Sequence, residues 1–447
     1  MKKTALVLAF LFLSAPLSAQ GVADVIAAQR LILDAAEAVL VPKGPVYASL
    51  SDHSVKPKPA PLALGPAGFA FTDPTFGSPM WRVSDASTSS GSSIRVPSNA
   101  QIAAWNSDGT KFYGMTQGGS TVVFGFNGTT VTKLNVSVPS QLEPAFSYTD
   151  PNVIYGVQGH KVKAWTLAGC TSAGVCPVSD VLDLDVTYAT LALPGDTYIG
   201  GVLTADGDQW AAFFGGAGQD KHVFVHHSGK GLKDLRGVGW KIHSIMLERS
   251  GRFVLIYPAV DPNTGQLPVG VAQIQVWDTQ TDTIAPVTTL NGGHASVGYG
   301  TLINADCCSG GTWDAAQWQI RKLSALSTPA NLIPSVLTPQ HIYDAEHTNW
   351  RAARPDVAVP VVSATYRVGS GLNETDYPRR AWDEEVIAVA TDGSGKVWRF
   401  AHTQSILNGE FWNQPIVNVS PSGRFAIFTS NWGNATGRQD VFLVNLR

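Results

Sequence analysis

The chain is poor in charge: Asp, Glu, Lys and Arg make up 15% of its 447 residues, and the formal net charge is −3. No basic run occurs, which argues against nucleic acid as a general partner. Beyond the N-terminal segment no stretch approaches 18 uninterrupted apolar residues, so no membrane-spanning helix is expected. Cysteine is scarce, with four residues in all. Two of them are adjacent, and "CC" is not a usual zinc-ligand spacing. The chain also lacks a Gly-X-Ser-X-Gly elbow, a His-Glu-X-X-His helix, a P-loop and a dinucleotide fingerprint. These absences remove the common hydrolase, metalloprotease and nucleotide-binding chemistries.

What is present is a β composition with 44 Gly, 27 Pro and 13 Trp. The opening MKKTALVLAFLFLSAPLSAQ has Lys2 and Lys3 before an apolar run from Ala5 to Leu13 and small residues at Ser18–Ala19. That is the layout of a bacterial-type secretory signal peptide over residues 1–19, and it predicts a secreted or periplasmic product; a monomer is expected. Residues 20–72 read as an N-terminal segment: an amphipathic helix over 23–40, then an extended, exposed Pro-rich linker. In an oxidising compartment the cysteines are expected as Cys170–Cys176, closing "CTSAGVC", and Cys307–Cys308, a strained ring of neighbours. The second pair is either a staple in its loop or a hard apolar platform beside Trp313.

From residue 73 to 447 the pattern is a repeat. A strand, a tight Gly- or Pro-containing turn and a second apolar strand appear as "AAWNSDGTKFYGMT" (103–116), "AFSYTDPNVIYGVQ" (145–158), "IMLERSGRFVLIYP" and "VNVSPSGRFAIFTSNWG", among others. A third strand follows each, such as "TVVFGF", "KVKAWTL" or "DVFLVNL". Seven such units over roughly 370 residues give about 53 per repeat, the size of a four-stranded propeller blade. The fold class is therefore all-β, a seven-bladed β-propeller preceded by a short helix and linker. "SPMWRVSD" (78–85) is placed to complete the last blade from the N-terminal side.

With the turn residue as a ruler, Gln101, Glu143, His243 and His347 each lie eight residues before it, Gln414 nine and His294 six. All fall where an innermost strand begins, around one mouth of the channel. His402 returns to that face on the last strand of blade six. Two readings stay open. One is polar residues solvated at a wet channel mouth. The other is a site in which His243, His347, His402 and Gln414 hold one divalent metal (Mn, Ca or Zn). The loop 366–385 of blade six opens on the same face and carries Tyr366, Arg379, Arg380 and Trp382. Arginine can grip a carboxylate through two parallel hydrogen bonds, and tryptophan offers a flat face to a sugar.

The blade motifs resemble those of secreted TolB-like and WD-type seven-bladed propellers, and "SPSGRFAIFTSN" (420–431) is similar to the repeat of oligogalacturonate lyases. The resemblance implies a metal at this end of the channel, held by histidines and a glutamine, with Gln414 in the comparable place. The chain departs from that pattern in reading "QPIVN" where further histidines are expected. Two functions follow. One is a metal-assisted lyase on a uronic-acid-containing glycan, with His294 or Tyr366 as base, Arg380 as carboxylate clamp, and Arg379, Trp382, Trp313, Glu143 and Gln101 as substrate contacts. The other is a non-catalytic propeller that binds an acidic glycan or a cell-surface protein through the same face.

Overall fold

The apolar runs become strands, and consecutive runs pair antiparallel across their turns. The computed structural model describes residues 45 and 47–446, apart from 192, 194, 217–220, 262, 288–294, 307–316, 334–344, 368–378, 408–409 and 435. The expected helix over 23–40, His294, Cys307, Cys308 and Trp313 thus lie outside the described residues.

Among the described residues the strands form antiparallel meanders, the blades of an all-β propeller, with the eight-stranded sheet dividing into two at a single bridge. The first has Ile94–Arg95, Lys111–Thr116, Thr121–Phe126 and Val131–Lys133; the second has Ala145–Phe146, Val153–Gln158, Lys161–Thr166 and Val178–Asp183. The third runs from Tyr198 to Asp234 and the fourth from Ile242 to Val287, joined by a single pairing of His222 with Ile242. The fifth spans Ala295–Asn331 and the sixth has Ala345–Asn349, Val361–Tyr366, Glu385–Val389 and Val397–His402. The seventh combines Val417–Val419, Phe425–Ser430 and Asp440–Asn445 with Pro79–Arg82 from the N-terminal side, and Ala70–Thr72 adds a fifth strand. Met80 pairs with Val444 and Arg82 with Phe442, so both ends of this segment close one blade, as expected for 78–85. The seventh blade meets the first through Ile94 N–H to Gln439 O (3.1 Å) and Val96 N–H to Thr429 Oγ1 (3.0 Å).

Each blade is packed between two others, so its central strands must be apolar on both faces. Phe253–Pro258, Val361–Tyr366 and Phe425–Ser430 are buried at every residue, whereas the outer strand Ala325–Asn331 is mostly exposed. This is why runs such as FVLIYP do not alternate with polar residues. The turns after the innermost strands of blades one and four take a left-handed residue, Gly109 (φ 72°) and Gly251 (φ 75°). Trp105, fully buried, locks blades one and seven by donating Nε1–H to Asn418 O at 3.1 Å. The Cys170–Cys176 disulfide is formed. The one α-helix among the described residues is Leu184–Thr187, and no described helix is long and apolar enough to cross a membrane.

The stretch read as a linker is extended and largely exposed, but it is not loose. The compact unit begins at Gly44. Tyr47 donates to Gly423 O (3.0 Å), Trp382 to Asp52 O (3.0 Å), Gln404 to Pro59 O (3.2 Å) and Trp432 to Leu62 O (2.9 Å). Asp52 pairs with Arg399 (2.6 Å) and Lys58 with Glu384 (2.7 Å). Residues 47–62 therefore form a strap along blades six and seven.

Candidate functional site

Blade one departs from its neighbours in a way that builds the site. Its innermost strand is interrupted: Ile94–Arg95 pairs with Met115 and Thr116, the chain then leaves the sheet, and Trp105 re-enters opposite Phe112. The intervening segment 96–102 is laid across the centre of the ring. Ala100 O accepts hydrogen bonds from the side-chain amides of Asn349 and of Asn418 (3.1 Å for the latter), and Ile102 O accepts a second from Asn418 at 2.6 Å. Gln101 Nε2–H donates to Ser296 Oγ (2.7 Å) and Thr348 O (2.6 Å), tying blade one to blades five and six.

Above this floor lies a cavity of about 790 Å³. Its lining draws on the beginnings of innermost strands, as the turn ruler anticipates, and includes Gln101, Glu143, His243 and His347 together with Arg95, Phe411 and Trp412. His347 Nε2 lies 2.7 Å from Gln414 Oε1, and the imidazole stacks on Tyr366 (ring centroids 5.5 Å apart) with Phe411 at its edge. His243 is open to the cavity and has no hydrogen-bond partner among the described residues; the surrounding protein pushes its pKa down, favouring the neutral imidazole. Glu143 accepts from Ser98 N–H (2.5 Å) and Ser98 Oγ–H (2.7 Å). Burial raises its pKa against those bonds and the field of Arg95.

The other expected site residues lie elsewhere. His402 is fully buried at the end of the outer strand of blade six, its backbone N–H on Asp73 Oδ2 (2.9 Å) and its ring against Phe76 (4.9 Å). It does not join His347 and Gln414, because the outer strand is three strands removed from the axis. Trp382 is fully buried too, packed in the core between blades five and six, so its face is closed to a ligand. Arg379 is paired with Glu384 at 2.8 Å, and Arg380 bonds through its backbone N–H to Asp383 Oδ2 at 2.8 Å; neither lines the cavity. Tyr366 sits behind His347, positioning that ring rather than facing the cavity.

A divalent cation needs several donors at about 2.0–2.6 Å. The 2.7 Å separation of His347 Nε2 and Gln414 Oε1 is close to that of neighbouring ligands on one ion. Two donors do not make a shell, and no group of three His, Cys, Asp or Glu converges among the described residues. The described side chains therefore do not fit a resident metal by themselves.

The sequence analysis missed Arg95 and Trp412. Arg95 is only 6% exposed, and its guanidinium lies over the Trp412 ring, 4.2 Å from the centroid. Burial lowers its pKa against the fields of Glu410 and Glu143. "SIRVP" (93–97) is the available signal, a short β run stopped by proline.

No protein-family model matches the chain, and no curated protein matches it either. Solved structures do. An oligogalacturonate lyase in complex with manganese superposes with a TM-score of 0.56 at 12% identity, covering 87% of this chain and 98% of the other. An oligogalacturonate lyase from Vibrio parahaemolyticus gives 0.53 at 8% identity, covering 84% and 96%. The Neurospora crassa Pan2 WD40 domain gives 0.41 at 9% identity, covering 78% and 89%. At these identities the likeness is one of fold.

Proposed function

We propose that this chain is a secreted, closed seven-bladed propeller that binds a uronic-acid-containing glycan in the cavity above segment 96–102 and cleaves it by β-elimination. The observation that carries the reading is the cavity itself, with His243, neutral and unengaged among the described residues, in the same lining as His347, whose ring is held by Gln414. The two oligogalacturonate lyases of like fold support the substrate class.

Elimination removes the proton on the carbon next to the carboxylate, forms a carbon–carbon double bond and expels the glycosidic oxygen. His243 is the base: its imidazole accepts that proton because it is neutral and open to the cavity. Glu143, with its carboxyl pKa raised by burial, supplies a proton to the departing oxygen. His347, fixed by Gln414 and Tyr366, hydrogen-bonds the substrate from the same lining. No step is assigned to a metal, since the described donors do not complete a shell; His294 lies outside the described residues.

The test is the ultraviolet absorbance of the unsaturated product from a set of uronate glycans, with and without added Mn²⁺. His243→Ala should abolish it, and His347→Ala should lower it strongly. Absence of product from every uronate glycan under both conditions sinks the lyase reading. The alternative, binding without turnover, is favoured by one observation: Gln101 and Glu143 are both engaged in holding the loop that floors the cavity. Glycan-array binding without product would establish it.

A further inference from the structure

Among the described residues the cavity lining contains one permanent cation, Arg95, and no lysine. The arginines of the 366–385 loop do not line it: Arg379 is paired with Glu384, Arg367 lies 3.8 Å from Asp383, and neither these nor Arg380 are in the lining. Arg95 is held in an uncommon way. One face of its guanidinium rests on Trp412, and Nε is buried with no hydrogen-bond partner. Among the described residues no ion pair or side-chain hydrogen bond engages the group. Its acidic neighbours act through their fields only: both oxygens of Glu143 are taken by Ser98, and no Arg95–Glu143 or Arg95–Glu410 contact within 4.0 Å is present.

Stacking restrains the plane of a guanidinium and leaves the N–H groups of its two terminal nitrogens, which lie in that plane, available at the edge. A nearly buried guanidinium held without a protein acceptor is costly, and a carboxylate is the ligand whose two oxygens match its terminal N–H groups in parallel. Trp412, half-buried, and Phe411, 41% exposed, lie in the same wall and offer apolar surface to a sugar ring beside that edge. We infer that Arg95, braced on Trp412, is the residue that receives the ligand's carboxylate and sets the cavity's preference for acidic over neutral sugar chains. This rests on the glycan reading above and assigns its recognition step.

The experiment is calorimetric titration of the full chain with a galacturonate trisaccharide and with its fully methyl-esterified form, which keeps the rings and removes the charges. Wild type should bind the acid form at least about tenfold more tightly, the expected weight of a paired charge-assisted contact. Arg95→Gln should erase the preference by weakening the acid form alone, and Trp412→Phe should reduce it. Equal binding of the two forms by wild type, or a preserved preference in Arg95→Gln, overturns the assignment while the glycan cavity stands. If neither form binds wild type, the glycan reading fails and the assignment falls with it. A variant-free check covers poor folding of Arg95→Gln. Phenylglyoxal labelling of Arg95, read by peptide mass spectrometry, should be blocked by the acid form and not by the ester; equal labelling with both counts against the assignment.

Discussion

Asp52 is the point at which the strap can be loosened selectively. Its carboxylate accepts from Arg399 (2.6 Å), Lys56 (3.1 Å) and the hydroxyl and amide of Ser54 (3.0 and 3.1 Å). Burial alone would raise its pKa, but the bonds from Lys56, Ser54 and Arg399 outweigh it and bring the value from 3.8 down to about 2. At about 1.4 kcal/mol per pH unit that drop corresponds to ~2.5 kcal/mol. The side chain is 33% exposed, so solvent screening reduces the expected contribution to about 1–1.5 kcal/mol. A depressed carboxyl stabilises the folded strap fully above its unfolded pKa, near 4, and the effect is lost as pH falls through about 2. Asp52→Asn should therefore open the strap roughly 5–10-fold more often at neutral pH, and the excess should shrink as pH falls to about 3. The reporter is the Arg399 amide, which donates to Leu50 O at 3.0 Å, followed by hydrogen exchange corrected for intrinsic rates. Unchanged exchange in Asp52→Asn at neutral pH, or an excess independent of pH, refutes the ion-pair account of the strap.

The remaining predictions are briefer. Trp105→Ala removes a fully buried ring and the bridge to Asn418, and should cost about 3–5 kcal/mol in urea denaturation. Glu385→Ala strands the fully buried Arg399, now paired to it at 2.5 Å, and should cost a similar 3–5 kcal/mol; a Tm near wild type would show that Asp52 suffices as partner. Cys170→Ser opens a loop between residues six apart and should lower stability by about 2 kcal/mol, matched by reduction of the wild type. If His243 is the base, activity should persist below its ordinary pKa of ~6.5 and fall only at lower pH, because burial depresses the value and protonation removes the acceptor. A profile already falling above pH 7 would assign the base elsewhere.

The fold was legible because two local signals recur in step: apolar runs with nothing polar on either face, and a tight turn marked by glycine or proline after the innermost strands. The eight-residue ruler placed Gln101, Glu143, His243 and His347 around one cavity, since strand rise is regular and each innermost strand starts near the axis. His402, assigned to that face from the return of the last strand of blade six and not by the ruler, lies apart because a strand position says nothing about radial distance, and the outer strand of a blade ends far from the channel. Trp382 and Arg379 were misjudged for a different reason. Their partners, Asp52 and Glu384 with Lys58, involve a strap whose path over blade six leaves no periodic trace in sequence. Arg95 escaped because the innermost strand of blade one breaks at Val96, so counting back from Gly109 ended on Gln101 in the crossing segment.

That break has a consequence for the site. Segment 96–102 starts at Arg95 and reaches Gln101, whose amide is bonded to Thr348 O, the carbonyl next to His347. Ser98, midway along, holds Glu143 through both its amide and its hydroxyl. The guanidinium proposed to receive the carboxylate, the carboxyl proposed to give a proton and the His347 imidazole are thus spaced by one short segment whose carbonyls are bonded across the ring. In a flexible loop those three groups would drift by an ångström or more, enough to lose most of the advantage of orienting a substrate. Blade one gives up regular pairing along its innermost strand, and the residues released from the sheet set the distances within the cavity.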